Sequence, residues 1–97
     1  MVNDDPQTPI VFLVDDDHIV RTTLSRALTK RDFTVRTFET AVEFLDAYDP
    51  SQTGCLVLDY GLPEMNGLEL QATLVEGRIA IPIIFISGHG GVPESVQ

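Results

Sequence analysis

Cysteine, basic residues and long apolar runs are all scarce in this chain, and each shortage excludes something. One cysteine, Cys55, among 97 residues rules out an internal disulfide. At the head of an apolar run it reads as a buried, inert thiol. Six Lys and Arg against fifteen Asp and Glu give a formal charge of −9. A surface so short of cations is unsuited to a nucleic-acid backbone or an anionic membrane, so this segment is expected to bind neither directly. It suits a cation or a basic partner instead. The longest apolar run, Ile79 to Ile86, is broken by Pro82 and falls far short of the ~20 residues that span a bilayer. The first residues lack the basic and apolar stretches of a secretion signal, which leaves a cytoplasmic location as the default expectation. His18 and His89 have no Cys or His partner at ligand spacing, so both read as surface histidines.

What is present is a regular alternation. Residues 1–9 are acidic and carry two prolines, which predicts a frayed tail, with one domain over 10–97. Ile10-Val11-Phe12-Leu13-Val14 is continuously apolar and β-branched, as expected of a strand buried on both faces. From about His18 to Lys30 the pattern turns helical, with Val20, Leu24, Ala27 and Leu28 on one stripe and Arg21, Ser25 and Arg26 facing away. Phe33 to Phe38 alternates, as a half-buried edge strand does. Thr40-Ala41-Val42-Glu43 is a capping box, opening a helix that presents Ala41, Phe44, Leu45 and Tyr48 and ends at Asp49-Pro50. Gly54 to Leu58 forms a third strand. Asn66 caps a helix carrying Leu68, Leu70 and Leu74, which Gly77 ends. Pro82 to Ile86 forms a fourth buried strand, and Pro93-Glu94 resembles the first turn of another helix. The order βαβαβαβ predicts a doubly wound parallel sheet with right-handed crossovers, an α/β fold.

In such a fold the ligand crevice lies outside the carboxyl ends of the strands. Asp15, Asp16, Asp59 and Ser87 all fall there. If the first and third strands are neighbours, ~4.8 Å apart, the three acids crowd together, and like charges at that range resist simultaneous ionisation. A divalent cation removes the conflict; carboxylates, a backbone carbonyl and water are the ligands Mg²⁺ prefers. A carboxylate so placed can act as a nucleophile toward a phosphoryl group. Taken one at a time, acids at strand ends are usually solvated loop residues or caps, and Tyr60 reads equally as packing or as a rim residue.

The apolar strand followed by Asp15-Asp16-Asp17, Leu56-Val57-Leu58-Asp59, Leu62-Pro63-Glu64-Met65-Asn66-Gly67 and the apolar strand ending Ser87-Gly88 occur in one order across residues 10–97. In this the chain resembles the receiver domain of two-component response regulators, and Ser-Gly-His-Gly-Gly is similar to the nitrogen-fixation-regulator-like subfamily with a helix-turn-helix output. The resemblance implies a flavodoxin-like strand order 2-1-3-4. It implies Asp59 as phosphoacceptor from a sensor histidine kinase and Mg²⁺, or Mn²⁺, as the cofactor. Asp16 would be a direct metal ligand, Asp15 would contact the metal through water or help place it, and the Gly61 carbonyl would be the remaining protein ligand. Ser87 would sense the phosphoryl group, while Asp17 serves as a helix cap. It implies a switch rather than a turnover enzyme. A metal-dependent phosphatase would want a second Asp two residues after the nucleophile, where this chain has Gly61. The family pattern continues with a fourth helix, a fifth strand ending in Lys and a fifth helix, all absent here. The expected consequence is an exposed fourth-strand edge that favours a homo-oligomer. The alternative reading is a fragment made inert by that truncation.

Overall fold

The computed structural model describes residues 9–62, 65 and 67–86. Four strands form one parallel sheet in the order β2-β1-β3-β4: β1 (Ile10–Val14), β2 (Thr34–Phe38), β3 (Gly54–Asp59) and β4 (Ile83–Ile86). Three helices connect them, α1 (His18–Lys30), α2 (Ala41–Ala47) and α3 (Gly67–Glu76). The expected tail (1–8) and everything from Ser87 onward lie outside the described residues, as do Pro63, Glu64 and the Asn66 cap.

The continuous apolarity of β1 has a direct cause. The strand is central, flanked by β2 on one side and β3 on the other, and Val11 to Val14 are all buried. Alternation divides its side chains between two faces. Phe12 and Val14 join their register partners Leu56 and Leu58 in a cluster with Ala41 and Phe44 of α2 and Leu70 and Leu74 of α3. Right-handed crossovers put α2 and α3 on that face and α1 on the other. The main core carries an aromatic knot: the Phe44 ring lies 5.5 Å from Phe12 and 5.7 Å from Phe38, both edge-on, and 5.2 Å from Tyr48.

The helix starts follow the sequence closely. Asp17 caps α1 by accepting from the amides of Ile19 and Val20. Thr40 Oγ1 accepts from the Glu43 amide, and Glu43 Oε1 accepts from the Glu39 amide, one residue before the reciprocal position of a capping box.

The helix ends depart from expectation. Gly77 does not terminate α3 by its own conformation. Arg78 takes the left-handed conformation at φ 59°, with Arg78 N–H donating to Val75 and Ile79 N–H to Leu74. This is a Schellman closure, in which satisfying two orphan carbonyls offsets the strain of a non-glycine residue. Ile79 gains by folding back onto the core. The end of α1 is built the same way, with Asp32 at φ 70° and Phe33 N–H donating to Leu28. Gly54 is the glycine the backbone requires: its φ is 149°, and a Cβ there would collide with the Ile10 carbonyl.

Burial differs from expectation at several positions. In α1, Ala27 is exposed while Arg21 and Ser25 are half-buried; Arg21 is drawn in by its guanidinium, which donates to the Asp15 carbonyl. In α3, Leu68 is exposed while Leu70 and Leu74 are fully buried. Strand β4 lies at the edge of the described sheet, as the expected fourth-strand edge anticipates, and Ile84 and Phe85 are 54% and 38% exposed. Cys55 is half-buried.

Candidate functional site

Strand register brings the acids together. Val14 pairs with Leu58, so the next residues along, Asp15 and Asp59, stand opposite one another where the apolar runs stop. Each remains tied into the ladder. The Asp15 amide donates to the Phe38 carbonyl at 3.1 Å, and the Tyr60 amide donates to Ile86 at 3.0 Å. Asp15 and Asp59 are 0% and 1% exposed, as buried as the core leucines beneath them. Asp16 is exposed. One carboxylate oxygen from each of Asp15, Asp16 and Asp59 can be chosen so that all lie within 4.8 Å of one another.

The two buried acids are held by the same local device. Asp15 Oδ1 accepts from the Asp17 amide at 2.8 Å, and Asp59 Oδ1 accepts from the Gly61 amide at 3.1 Å. In both cases a backbone N–H two residues along satisfies one oxygen. In both cases Oδ2 is buried and has no hydrogen-bond partner. Burial of an ionised oxygen without a partner is costly. Burial accordingly pushes the Asp15 carboxyl above the ordinary carboxylate range, opposed by the Asp17 amide, and the charges of Asp59, Asp16 and Asp17 push it further up.

Two unsatisfied buried carboxylate oxygens beside a third, exposed carboxylate form a donor set of hard oxygens. That chemistry fits Mg²⁺ or Mn²⁺ and not a soft metal. Asp17 is committed to capping α1 and Ser87 lies outside the described residues. Gly61 stands on the exposed rim, and its amide is engaged by Asp59. Tyr60 is both things the sequence left open: its ring packs edge-on against Phe85 at 5.7 Å, yet it is 46% exposed at the rim.

One residue at this site was missed by the helical pattern. Arg21, expected to face away, donates from Nη1 to the Asp15 carbonyl at 2.7 Å. A residue six positions after a strand-end acid, in the second turn of the following helix, is the only hint the sequence carries. A separate cleft of about 420 Å³, lined by residues including Tyr48, Gln52 and Arg78, sits at the amino ends of the strands and shares no residue with the acids.

A parallel α/β sheet with an acidic pocket at the carboxyl ends of its strands defines a doubly wound domain whose candidate site lies at the strand ends. Comparison with known proteins narrows it. The response regulator receiver domain family matches residues 11–97, and this chain belongs to that family. It is 42% identical over 91 residues to the response regulator protein TmoT of Ectopseudomonas mendocina, covering 94% of this chain and 41% of that protein. It is 40% identical over 87 residues to the transcriptional regulatory protein FixJ of Rhizobium meliloti, covering 90% of this chain and 43% of that protein. The chain thus spans less than half the length of these curated relatives. Among solved structures, the response regulator StyR superposes with a TM-score of 0.82 at 48% identity, over 89% of this chain and 43% of that one. The FixJ-N crystal structure gives 0.80 at 40% identity, over 93% and 72% respectively. The flavodoxin-like strand order expected from the motifs is the order observed.

Proposed function

We propose that this receiver domain accepts a phosphoryl group on Asp59 from a sensor histidine kinase. The observation that carries the reading is the pair of buried, unpartnered Oδ2 atoms on Asp15 and Asp59, on adjacent strands beside Asp16. Asp15, Asp16, Asp59 and the Gly61 carbonyl would hold Mg²⁺ or Mn²⁺. Such an ion supplies neutralisation of charge on the phosphoryl oxygens.

The residues of the chain do the rest. A carboxylate oxygen of Asp59 attacks phosphorus; the new C–O–P linkage forms as the P–N bond of the phosphohistidine breaks and the imidazole keeps the bonding pair. Burial strips water from the Asp59 oxygens, and the Gly61 amide orients the carboxylate. Ser87, one residue beyond β4, would donate to a phosphoryl oxygen and bias the following segment toward a second conformation. The domain would act as a switch, with no second acid at position 61 to drive turnover. Within a longer protein it would control transcription, as FixJ, a transcriptional regulatory protein, does. No described helix is long and apolar enough to cross a membrane, and a cytoplasmic setting agrees with phosphotransfer from a kinase.

Incubation with Mg²⁺ and phosphoramidate or acetyl phosphate tests this. The expected result is one base-labile phosphoryl group per chain, absent from Asp59→Asn and from chelator-treated protein. Continuous release of many equivalents of phosphate would point to a phosphatase, and no labelling of folded protein would point to an inert fragment.

The β4 edge supports a second property of this polypeptide. Ile84 and Phe85 are exposed on an uncharged edge strand, which invites pairing with another chain. We propose a homo-oligomer through that edge. Sedimentation should show mass increasing with concentration, and Ile84→Lys should return the chain to a monomer.

A further inference from the structure

The hydrogen bonds between Asp15 and Arg21 make a closed loop that contains all three consecutive acids. The Asp17 carbonyl accepts from the Arg21 amide at 3.0 Å, starting α1. The Arg21 guanidinium reaches back past that turn to the Asp15 carbonyl at 2.7 Å. The Asp15 amide is already used by Phe38 and its Oδ1 by the Asp17 amide. The Asp15 backbone is therefore fixed at both its N–H and its C=O.

Asp16 is the contrast. Among the described residues no hydrogen bond holds its exposed carboxylate, although that carboxylate belongs to the cation-type cluster. Its direction depends on the peptide plane joining Asp15 to Asp16. That plane is oriented by its carbonyl, and the carbonyl is held by Arg21. A planar guanidinium fixes such a bond with less loss of side-chain freedom than a flexible ammonium does.

We infer that Arg21 is a positioning residue for the cation site, aiming Asp16 by anchoring the Asp15 carbonyl. The inference rests on the cation reading given above. It runs against the simplest electrostatic expectation, in which a nearby positive charge weakens cation binding and its removal strengthens it. The direction of the effect therefore separates the two.

The test is Mn²⁺ binding to the 97-residue chain, followed by the paramagnetic signal of free Mn²⁺, with Mg²⁺ as competitor. Arg21→Met should weaken Mn²⁺ binding by about 10-fold, the low end for losing an outer partner that orients a metal ligand. Arg21→Lys should recover part of that loss. Arg26→Met, which removes an equal charge from an exposed position on the same helix, should bind as the unsubstituted chain does. Metal-free circular dichroism at the same temperature checks that each variant is folded. If Arg21→Met does not fold, Arg21→Gln, polar and too short to reach the carbonyl, replaces it with the same expected loss. Unchanged or tighter binding in a folded Arg21 variant overturns the inference while leaving the cation site intact. If the unsubstituted chain binds neither Mn²⁺ nor Mg²⁺, the cation reading itself fails and the inference goes with it.

Discussion

Val14 and Asp15 are both 0% exposed, and so is Leu58, with Asp59 at 1%. One step along each of two adjacent strands separates a close-packed core from a pocket of like charges, with no change in burial. The difference lies in how the buried atoms are satisfied. Below the step, Phe12, Val14, Leu56 and Leu58 meet Phe44, Leu70 and Leu74. Above it, two carboxylate oxygens meet no donor. The core stabilises the fold and the pocket opposes it, and the rigid ladder of the first holds the second in place.

The largest effect should come from breaking the core half. Phe44 is fully buried and contacts three other rings, so Phe44→Ala should cost about 3–5 kcal/mol in urea unfolding of the metal-free chain. A loss below about 1 kcal/mol would mean that the aromatic knot is not the anchor of the sheet.

The pocket half should respond with the opposite sign. Asp59→Asn removes one of the two buried like charges and provides an N–H that can face Asp15 Oδ2. Metal-free stability should rise by roughly 1–3 kcal/mol, the scale of an unsatisfied buried polar group, while phosphoryl acceptance is lost. A destabilised Asp59→Asn protein would show that the acids are not in conflict without a cation.

A smaller effect belongs to a helix end remote from the acids. Thr40→Ala removes the hydroxyl that accepts from the Glu43 amide, for a loss of about 1 kcal/mol. Cation affinity should not change, because α2 contributes no residue to the acidic cluster. A parallel drop in affinity would show that the two regions are coupled through the core rather than merely stacked.

These regions were not equally legible in the sequence. The core strands were, because a central parallel strand must be apolar on both faces, and the continuous run Ile10 to Val14 meets that requirement. The acids were legible for the same reason: an apolar run that stops on Asp marks the strand's end. The unpartnered Oδ2 atoms were not, since they depend on which amides reach back from Asp17 and Gly61. Arg21 was hidden because a helical stripe reports which face a Cα presents, whereas a long side chain can reach back along the axis. Arg78 was hidden because a left-handed residue after a helix suggests glycine, and Gly77 stands one position too early. The exposed edge of β4 was legible from the expected strand order and not from its composition, since Ile83-Ile84-Phe85-Ile86 reads the same in a sheet's interior as at its edge.

The finest test of the comparison is the pH dependence of the pocket alone. The Asp15 carboxyl is raised above its ordinary value of 3.8 by burial first and by neighbouring acids after the opposing Asp17 amide. A raised value means that the folded chain holds this proton more tightly than the unfolded chain does. The stability it contributes is therefore fully present below the ordinary carboxylate value and is lost as pH rises through the raised one. Fourteen other acids give the chain its own pH profile, so the measurement is a difference. Thermal midpoints of the unsubstituted chain and of Asp15→Asn are compared in chelator at a series of pH values rising from the ordinary carboxylate value of 3.8 to neutrality. The advantage of Asp15→Asn should grow as pH rises. With saturating Mg²⁺ it should shrink or reverse, because the ion compensates the ionised form. A difference that stays level across the range would place Asp15 among ordinary solvated carboxylates. The core and the pocket would then differ in composition but not in energetic sign.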